Sequence, residues 1–416
     1  MYNERVIDRK LDSLSRGIQA IEISGPKAVG KTETASRHAN TVFSLDLPGD
    51  LEALRANPHL VTEVEPPVLI DEWQLFPEIR NYVKRGVDQN RNNRFLLAGS
   101  TPPEQTRLHS GAGRIIRQRM RPMSLAERSP ELVRLKLGDL FGKKIETFRL
   151  ETEDNHHFQE IYKSGFPGIR VLEEEDRELQ LQNYVDFVVQ KELREFGMLI
   201  RKPNILSSWL QALAVASSTT ISRNKLIAKV FTGDQPDSKT ISAYTEALSS
   251  LFITDDLEPA TGFGLDLPPL SQSSKRYLAD PALAAILLGI NQRSLIQKPN
   301  RHIFSEHLAT VSGRLFESLA NLCLQVYADS EGWTIEHLRT RKGDREIDFL
   351  ITDKARNILA IEVKTSADLR HDDLKHLLWL RKQLGEQVSL AVITAGNYGY
   401  TREDGIHVVP LASIGI

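Results

Sequence analysis

A chain of 416 residues, 40% apolar and 26% charged with a formal net charge of −2, has room for two to four domains and the balance of a soluble globular protein. That charge excludes a polycation, so any nucleic-acid surface must be a local patch; the lone cysteine, Cys323, excludes a disulfide framework and a zinc ribbon. The charged N-terminus carries no apolar signal core, and the longest candidate span, Ala282–Ile290, is too short to cross a bilayer, so the expectation is a cytoplasmic protein without a membrane partner.

Residues 5–20 read as an amphipathic helix leading into a short apolar strand at Ile21 and Ile23. The stretch that follows, Gly25-Pro26-Lys27-Ala28-Val29-Gly30-Lys31-Thr32, has the spacing of a phosphate-binding P-loop. Its glycines let backbone N–H groups curl toward phosphate oxygens. Lys31 is placed to reach the β- and γ-phosphates, and Thr32 to offer a hydroxyl to Mg²⁺ at the start of a helix. ATP and Mg²⁺ are therefore the expected ligands. Glu33–Asn40 is then helical, Thr41–Leu47 strand-like, and Asp50–Asn57 helical.

Val68-Leu-Ile-Asp-Glu72 reads as a buried parallel strand that delivers two acids at its C-terminal edge. Asp71 is suited to hold Mg²⁺ and Glu72 to orient or deprotonate the attacking water. A helix over Glu78–Gln89 separates it from the next strand, Arg94–Ser100. Ser100, or Thr101 beside it, either senses the γ-phosphate or simply ends the strand. Residues 105–123 hold Arg107, Arg114, Arg117, Arg119 and Arg121 and no acid. Such a cluster either supplies an arginine finger, with Arg114 preferred, or forms a solvated basic face. A finger acting in trans would require a homo-oligomer.

Taken together, the P-loop, Val68–Gln74, Leu96–Ser100, and Gly113-Arg114 with Arg121-Pro-Met-Ser-Leu-Ala-Glu127 resemble a prokaryotic family of AAA-type ATPases that carry a C-terminal domain of unknown function. The resemblance implies an AAA-type fold and carries roles onto Gly30, Lys31, Thr32, Asp71, Glu72 and Ser100.

Beyond this, residues 130–200 are helix-rich, with a sharp turn at Ser164–Gly168 and an acidic, solvated face at Leu172–Glu178. His156-His157 reads as part of a polar surface loop. Helices at Ile205–Ser217, Ile221–Lys229 and Asp237–Phe252, then a return to Lys275–Leu278, suggest a winged helix. The third helix has a buried stripe at Ile241, Tyr244, Leu248 and Leu251, leaving Ser238, Lys239, Thr240, Arg223 and Lys225 for DNA or RNA. A protein-docking role for the same module stays open.

At the C-terminus a helix from Gly313 to Tyr327 precedes strand-like runs at Arg345–Ile351, Ile358–Lys364 and Ser389–Thr394. Asp348 with Glu362-x-Lys364 is the constellation of the restriction-endonuclease-like fold, with Glu317 as a further carboxylate. On a strand Glu362 and Lys364 share a face. Asp348 and Glu362 are then expected to chelate Mg²⁺, and Lys364 to stabilise phosphorane charge. An inherited fold without cleavage is the alternative.

The expected architecture is α/β and multidomain: a P-loop ATPase domain over 1–128, a helical lid or connector over 129–200, a winged helix over 201–297 and a restriction-endonuclease-like domain over 298–416. The expected function is an Mg²⁺-dependent ATP hydrolase whose cycle controls the C-terminal region on nucleic acid. Its alternative is an ATP-dependent protein-binding switch with a catalytically silent nuclease-like domain.

Overall fold

The computed structural model describes residues 2–89, 92–100, 113–153, 155–195, 203–231, 236–261, 267–291 and 302–416. The chain divides into two compact units, one of Met1–Pro122 with Phe166–Gly168 and Glu246–Ile253, the other of the remaining residues.

The first unit is a five-stranded parallel sheet in the order β2-β3-β4-β1-β5. Its strands are β1 (Ala20–Ser24), β2 (Thr41–Ser44), β3 (Val68–Asp71), β4 (Phe95–Gly99) and β5 (Ile115–Arg119). Strands β1, β3 and β4 are buried throughout, as the inner strands of a parallel sheet covered on both faces are, and in β1 that burial includes Glu22, met by Arg80 at 2.7 Å. Three helices flank the strands that matter here: α1 (Val6–Ser15), α2 (Lys31–Ser36) and α3 (Ile79–Gln89). In register Ser24 pairs with Gly99 and with Arg119, and Asp71 with Ala98. The C-terminal ends of these strands therefore form one sheet edge, where ligands collect in open α/β sheets.

In the second unit the sheet order is β7-β12-β13-β11-β10-β9-β8. Its principal strands are β8 (Thr334–Arg339), β9 (Glu346–Thr352), β10 (Ile358–Lys364) and β11 (Val388–Thr394), followed by β12 (Tyr398–Thr401) and β13 (His407–Pro410). Strands β8, β9 and β10 form an antiparallel meander, and β10, β11 and β13 are parallel. A 30-residue helix, α7 (His302–Glu331), precedes the meander, and α8 (His371–Leu384) links β10 to β11. Leu374, Leu377 and Leu380 of α8 pack with Leu350, Ala360, Leu390 and Val392 of the sheet.

The expected helical connector is not purely helical. Leu135–Lys136 (β6) pairs with Ile414–Gly415 (β14), and Phe148–Arg149 (β7) with β12. Two-residue strands have no period to read, so the sequence hides them. The His156-His157 pair is also not a surface loop. It opens a helix, and the His157 ring packs edge-on to Phe316 at 5.2 Å.

Three further helices, α4 (Pro203–Val215), α5 (Arg223–Val230) and α6 (Ser238–Ser250), precede two antiparallel arms that meet at Thr254–Leu278 and Leu257–Lys275. Ile241, Tyr244, Leu248 and Leu251 are all buried. The arms then run onto the outer side of β8, where Ala260 N–H donates to His337 O at 2.7 Å and Ser271 N–H to Arg339 O at 2.8 Å. The ribbon thus covers a sheet edge that would otherwise expose unpaired backbone.

Candidate functional site

The loop after β1 has the backbone of a phosphate cradle. Ala28 and Gly30 adopt positive φ (62° and 99°), and Gly30 leads directly into α2. A Cβ on Gly25 would lie 2.2 Å from the Met120 carbonyl oxygen, so no other residue fits there without a backbone shift. Lys31 Nζ donates to Gly25 O and Pro26 O, each at 2.9 Å, folding back over the loop it serves. Pro26, Lys27 and Val29 complete the turn between them.

Thr32 and Asp71 converge across the sheet edge, Thr32 Oγ1 donating to Asp71 Oδ2 at 2.8 Å. Burial pushes the Asp71 carboxyl above the usual carboxylate range, the Thr32 hydrogen bond opposing and the Glu72 charge adding to it. Asp71 Oδ1 is buried without a hydrogen-bond partner. An orphaned carboxylate oxygen beside a P-loop hydroxyl fits a divalent cation carried in with nucleotide phosphates.

Glu72 follows in a left-handed turn (φ 51°) and accepts a short hydrogen bond from Gln74 Nε2. Gly99, just before Ser100, leaves no room for a Cβ: it would meet Gln74 Oε1 at 2.5 Å and Trp73 Nε1 at 2.9 Å. Ser100 is buried at the end of β4, the strand between those of the P-loop and of Asp71. Thr101 and Arg107 lie outside the described residues.

Arg114 is placed elsewhere. Because β5 runs parallel to β1, Arg114 precedes the strand at the far edge of the sheet, roughly 16 Å from the P-loop edge by strand rise. There its Nε donates to Asp88 Oδ1 at 2.8 Å. Within one chain it therefore does not reach the nucleotide edge.

Sequence reasoning missed the brace behind the P-loop. Arg5, 4% exposed, donates through Nη1 to Val29 O at 2.9 Å and through Nη2 to Arg121 O at 2.7 Å. Asp8 receives the Arg5 N–H and the Tyr2 hydroxyl, each at 2.7 Å, and His38 Nε2 lies 2.9 Å away. Helix α1 thus grips both the P-loop and the end of α2. Two distant segments also belong to this unit: Pro167 lies 3.7 Å from a Cβ built on Gly30, and the Arg119 guanidinium lies 5.1 Å over the Phe252 ring.

The second constellation does assemble, around a residue that no motif flagged. Lys275, 1% exposed, places Nζ 2.7 Å from Glu317 Oε1, 2.8 Å from Asp348 Oδ1 and 3.5 Å from Glu346 Oε1. Asp348 Oδ2 accepts the Val363 N–H at 2.9 Å, and Glu317 Oε1 also accepts the Tyr277 hydroxyl at 2.6 Å. Lys364 Nζ donates to Glu362 Oε2 at 3.2 Å. Desolvation pulls the Lys275 pKa down, but Asp348 and Glu317 outweigh it and hold the ammonium charged. Burial pushes Glu317 up to about 7, and burial plus the Asp348 charge pushes Glu362 well up. Among the described residues no three His, Cys, Asp or Glu side chains are grouped to hold a metal ion. The expected Mg²⁺ at Asp348 and Glu362 does not fit: the Lys275 ammonium already sits on Asp348 Oδ1 and the Lys364 ammonium on Glu362 Oε2.

Residues 18–129 match an AAA domain. The N-terminal part of the chain is thus of AAA type, with the P-loop and Asp71 inside the matched range. Residues 155–294 match a domain of unknown function (DUF8612), and residues 312–414 another domain of unknown function (DUF4143). No curated protein matches the chain. No helix among the described residues is long and apolar enough to cross a membrane.

Proposed function

We propose that this protein binds and hydrolyses ATP at the Gly25–Thr32 loop, and that the state of that site governs a C-terminal region acting as a docking module. The carrying observation is the Thr32–Asp71 pair at 2.8 Å, with Asp71 keeping one buried oxygen unpartnered. Backbone N–H groups of the loop bind the phosphates, and Lys31 exchanges its two loop carbonyls for phosphate oxygens. Thr32 and Asp71 would hold Mg²⁺, which supplies charge neutralisation at the phosphate oxygens when bound. Glu72, steadied by Gln74, orients the attacking water and takes its proton. Ser100 stands between the two strands that carry these groups, which supports a sensing role.

Coupling is supported by the Pro167 and Phe252 segments, which lie with the P-loop unit although they are distant in sequence. A finger role for Arg114 requires a second copy of the chain, because the far sheet edge faces away from its own nucleotide.

For the partner, two observations favour protein over nucleic acid. Helix α6 carries a single lysine, Lys239, and a single glutamate, Glu246, while Arg223 is turned onto Ser242 Oγ at 2.5 Å. The ribbon that would be a wing is spent on the edge of β8. Such a surface lacks the stripe of cations from which phosphate binding draws its affinity.

ATP turnover by the parent, Lys31→Ala and Glu72→Gln proteins tests the reading. Lys31→Ala should lose binding, and Glu72→Gln should bind ATP but stall before hydrolysis. Parent turnover no higher than that of both variants under every condition would overturn it.

A further inference from the structure

The C-terminal cluster is an acidic pocket with its own cation. Helix α7 brings Glu317 and β9 brings Glu346 and Asp348, and between these three stands the ammonium of Lys275, delivered by the second arm of the ribbon; β10 brings Glu362, which pairs with Lys364. We propose that Lys275 takes the place of a divalent cation, so that the C-terminal sheet is held together without metal and does not cleave phosphodiesters.

Three features carry this. Mg²⁺ needs about six oxygens near 2.1 Å in octahedral array, whereas Glu317 and Asp348 point theirs at one nitrogen 2.7 and 2.8 Å away. The lysine cannot swing out, because its backbone exchanges both hydrogen bonds with Leu257, each at 2.8 Å, and its side chain is 1% exposed. Other donors join in: Val363 N–H on Asp348 Oδ2, the Tyr277 hydroxyl on the same Glu317 Oε1 that Lys275 holds, and Lys364 on Glu362 Oε2. Lys275 and Lys364 offset two of the four carboxylates, and an incoming dication would have to displace the ammonium that Glu317 and Asp348 already share. Lys275 lies 73 residues before Asp348, outside any local motif, which is why the nuclease-like spacing looked complete without it.

The inference is independent of ATP turnover, and its test uses the full chain carrying Asp71→Asn to silence the N-terminal cation position. Manganese(II) chloride is titrated while free Mn²⁺ is read by electron paramagnetic resonance, with melting followed in parallel. The Asp71→Asn protein should show no Mn²⁺ site and no Mn²⁺-dependent change in melting. Adding Lys275→Ala should lower the melting point and open a site for one Mn²⁺ per chain, at least about tenfold tighter than in its parent. Mn²⁺ should restore the melting point, and further Asp348→Asn should abolish both effects. Should Lys275→Ala not fold, Lys275→Met is read in the same way. The proposal is overturned if the Lys275-containing protein binds Mn²⁺ or cuts DNA in an Asp348-dependent manner, or if the folded lysine variant gains no Mn²⁺ site.

Discussion

Replacing Arg5 with methionine removes the brace behind the P-loop while keeping the length of the side chain. Two hydrogen bonds from a charged donor are lost, to Val29 O at 2.9 Å and Arg121 O at 2.7 Å. Each such bond contributes roughly 1.5–3 kcal/mol, and both carbonyls are left facing a buried side chain. Methionine returns about 1–2 kcal/mol through apolar burial, so the net loss is about 2–4 kcal/mol. For a unit of this size that lowers melting by roughly 5–15 °C. The Val29 carbonyl belongs to the loop that wraps phosphate, so KM for ATP should rise roughly tenfold, equivalent to about 1.4 kcal/mol of binding. Arg5 touches no reacting atom, so kcat should change much less than KM. Arg5→Lys keeps one donor and should fall between. Differential scanning fluorimetry with and without ATP, followed by steady-state phosphate release, gives each quantity. Unchanged melting and KM, or a collapse of kcat at constant KM, would refute the brace.

The remaining predictions concern packing and protonation. Gly25→Ala forces a Cβ against the Met120 carbonyl at 2.2 Å, so the loop must shift; we expect at least a tenfold loss in binding of a fluorescent ATP analogue, about 1.4 kcal/mol. Arg80→Met strands Glu22, whose carboxylate lies 2.7 Å from Arg80 and 3.4 Å from the half-exposed Arg117, and should cost about 3–5 kcal/mol in denaturant unfolding. Glu22→Leu in the same chain should recover most of that. Burial pushes His157 and His337 down to about 4 each. Unfolded histidine titrates near 6.5, so the unfolded chain binds more protons between those values. Stability is therefore full above pH 6.5 and falls as pH drops toward 4, by about 3 kcal/mol per histidine. His157→Phe should flatten that slope in melting measured from pH 7 to pH 5, and an unchanged slope would contradict the burial argument.

What the sequence made legible follows from the range of each interaction. The P-loop edge was legible because its parts are contiguous runs: an apolar strand, a glycine turn, a lysine and a threonine, then a strand ending in two acids. A buried parallel strand announces itself by having no polar residue to alternate, and β3 is buried at every position. The meander of β9 and β10 and the helix bearing Glu317 were legible for the same reason. Less was visible where a residue acts over a long separation. Arg5 braces Arg121 across 116 residues, and Lys275 neutralises Asp348 across 73. Neither belongs to a periodic pattern or a spaced motif. Arg114 shows the converse: its neighbourhood in sequence is basic, but the direction of β5 carries it to the wrong edge.

The two sites share their ingredients, carboxylates at strand ends with a lysine nearby, and differ in what satisfies the oxygens. At the P-loop edge the lysine bonds to loop carbonyls, and Asp71 keeps a buried oxygen with no partner. A buried polar atom left unpaired costs free energy until a ligand meets it. In the C-terminal cluster the lysine bonds to the carboxylates themselves, while backbone and tyrosine donors take further lone pairs. Both Asp348 oxygens are thereby met by donors of the chain itself. A cation arriving at the first site relieves a deficit, whereas one arriving at the second must displace an ammonium held by the fold. Selectivity for an exogenous cation is thus decided by which oxygens the fold leaves unsatisfied, and that criterion supports the proposal that places phosphate chemistry in the N-terminal unit.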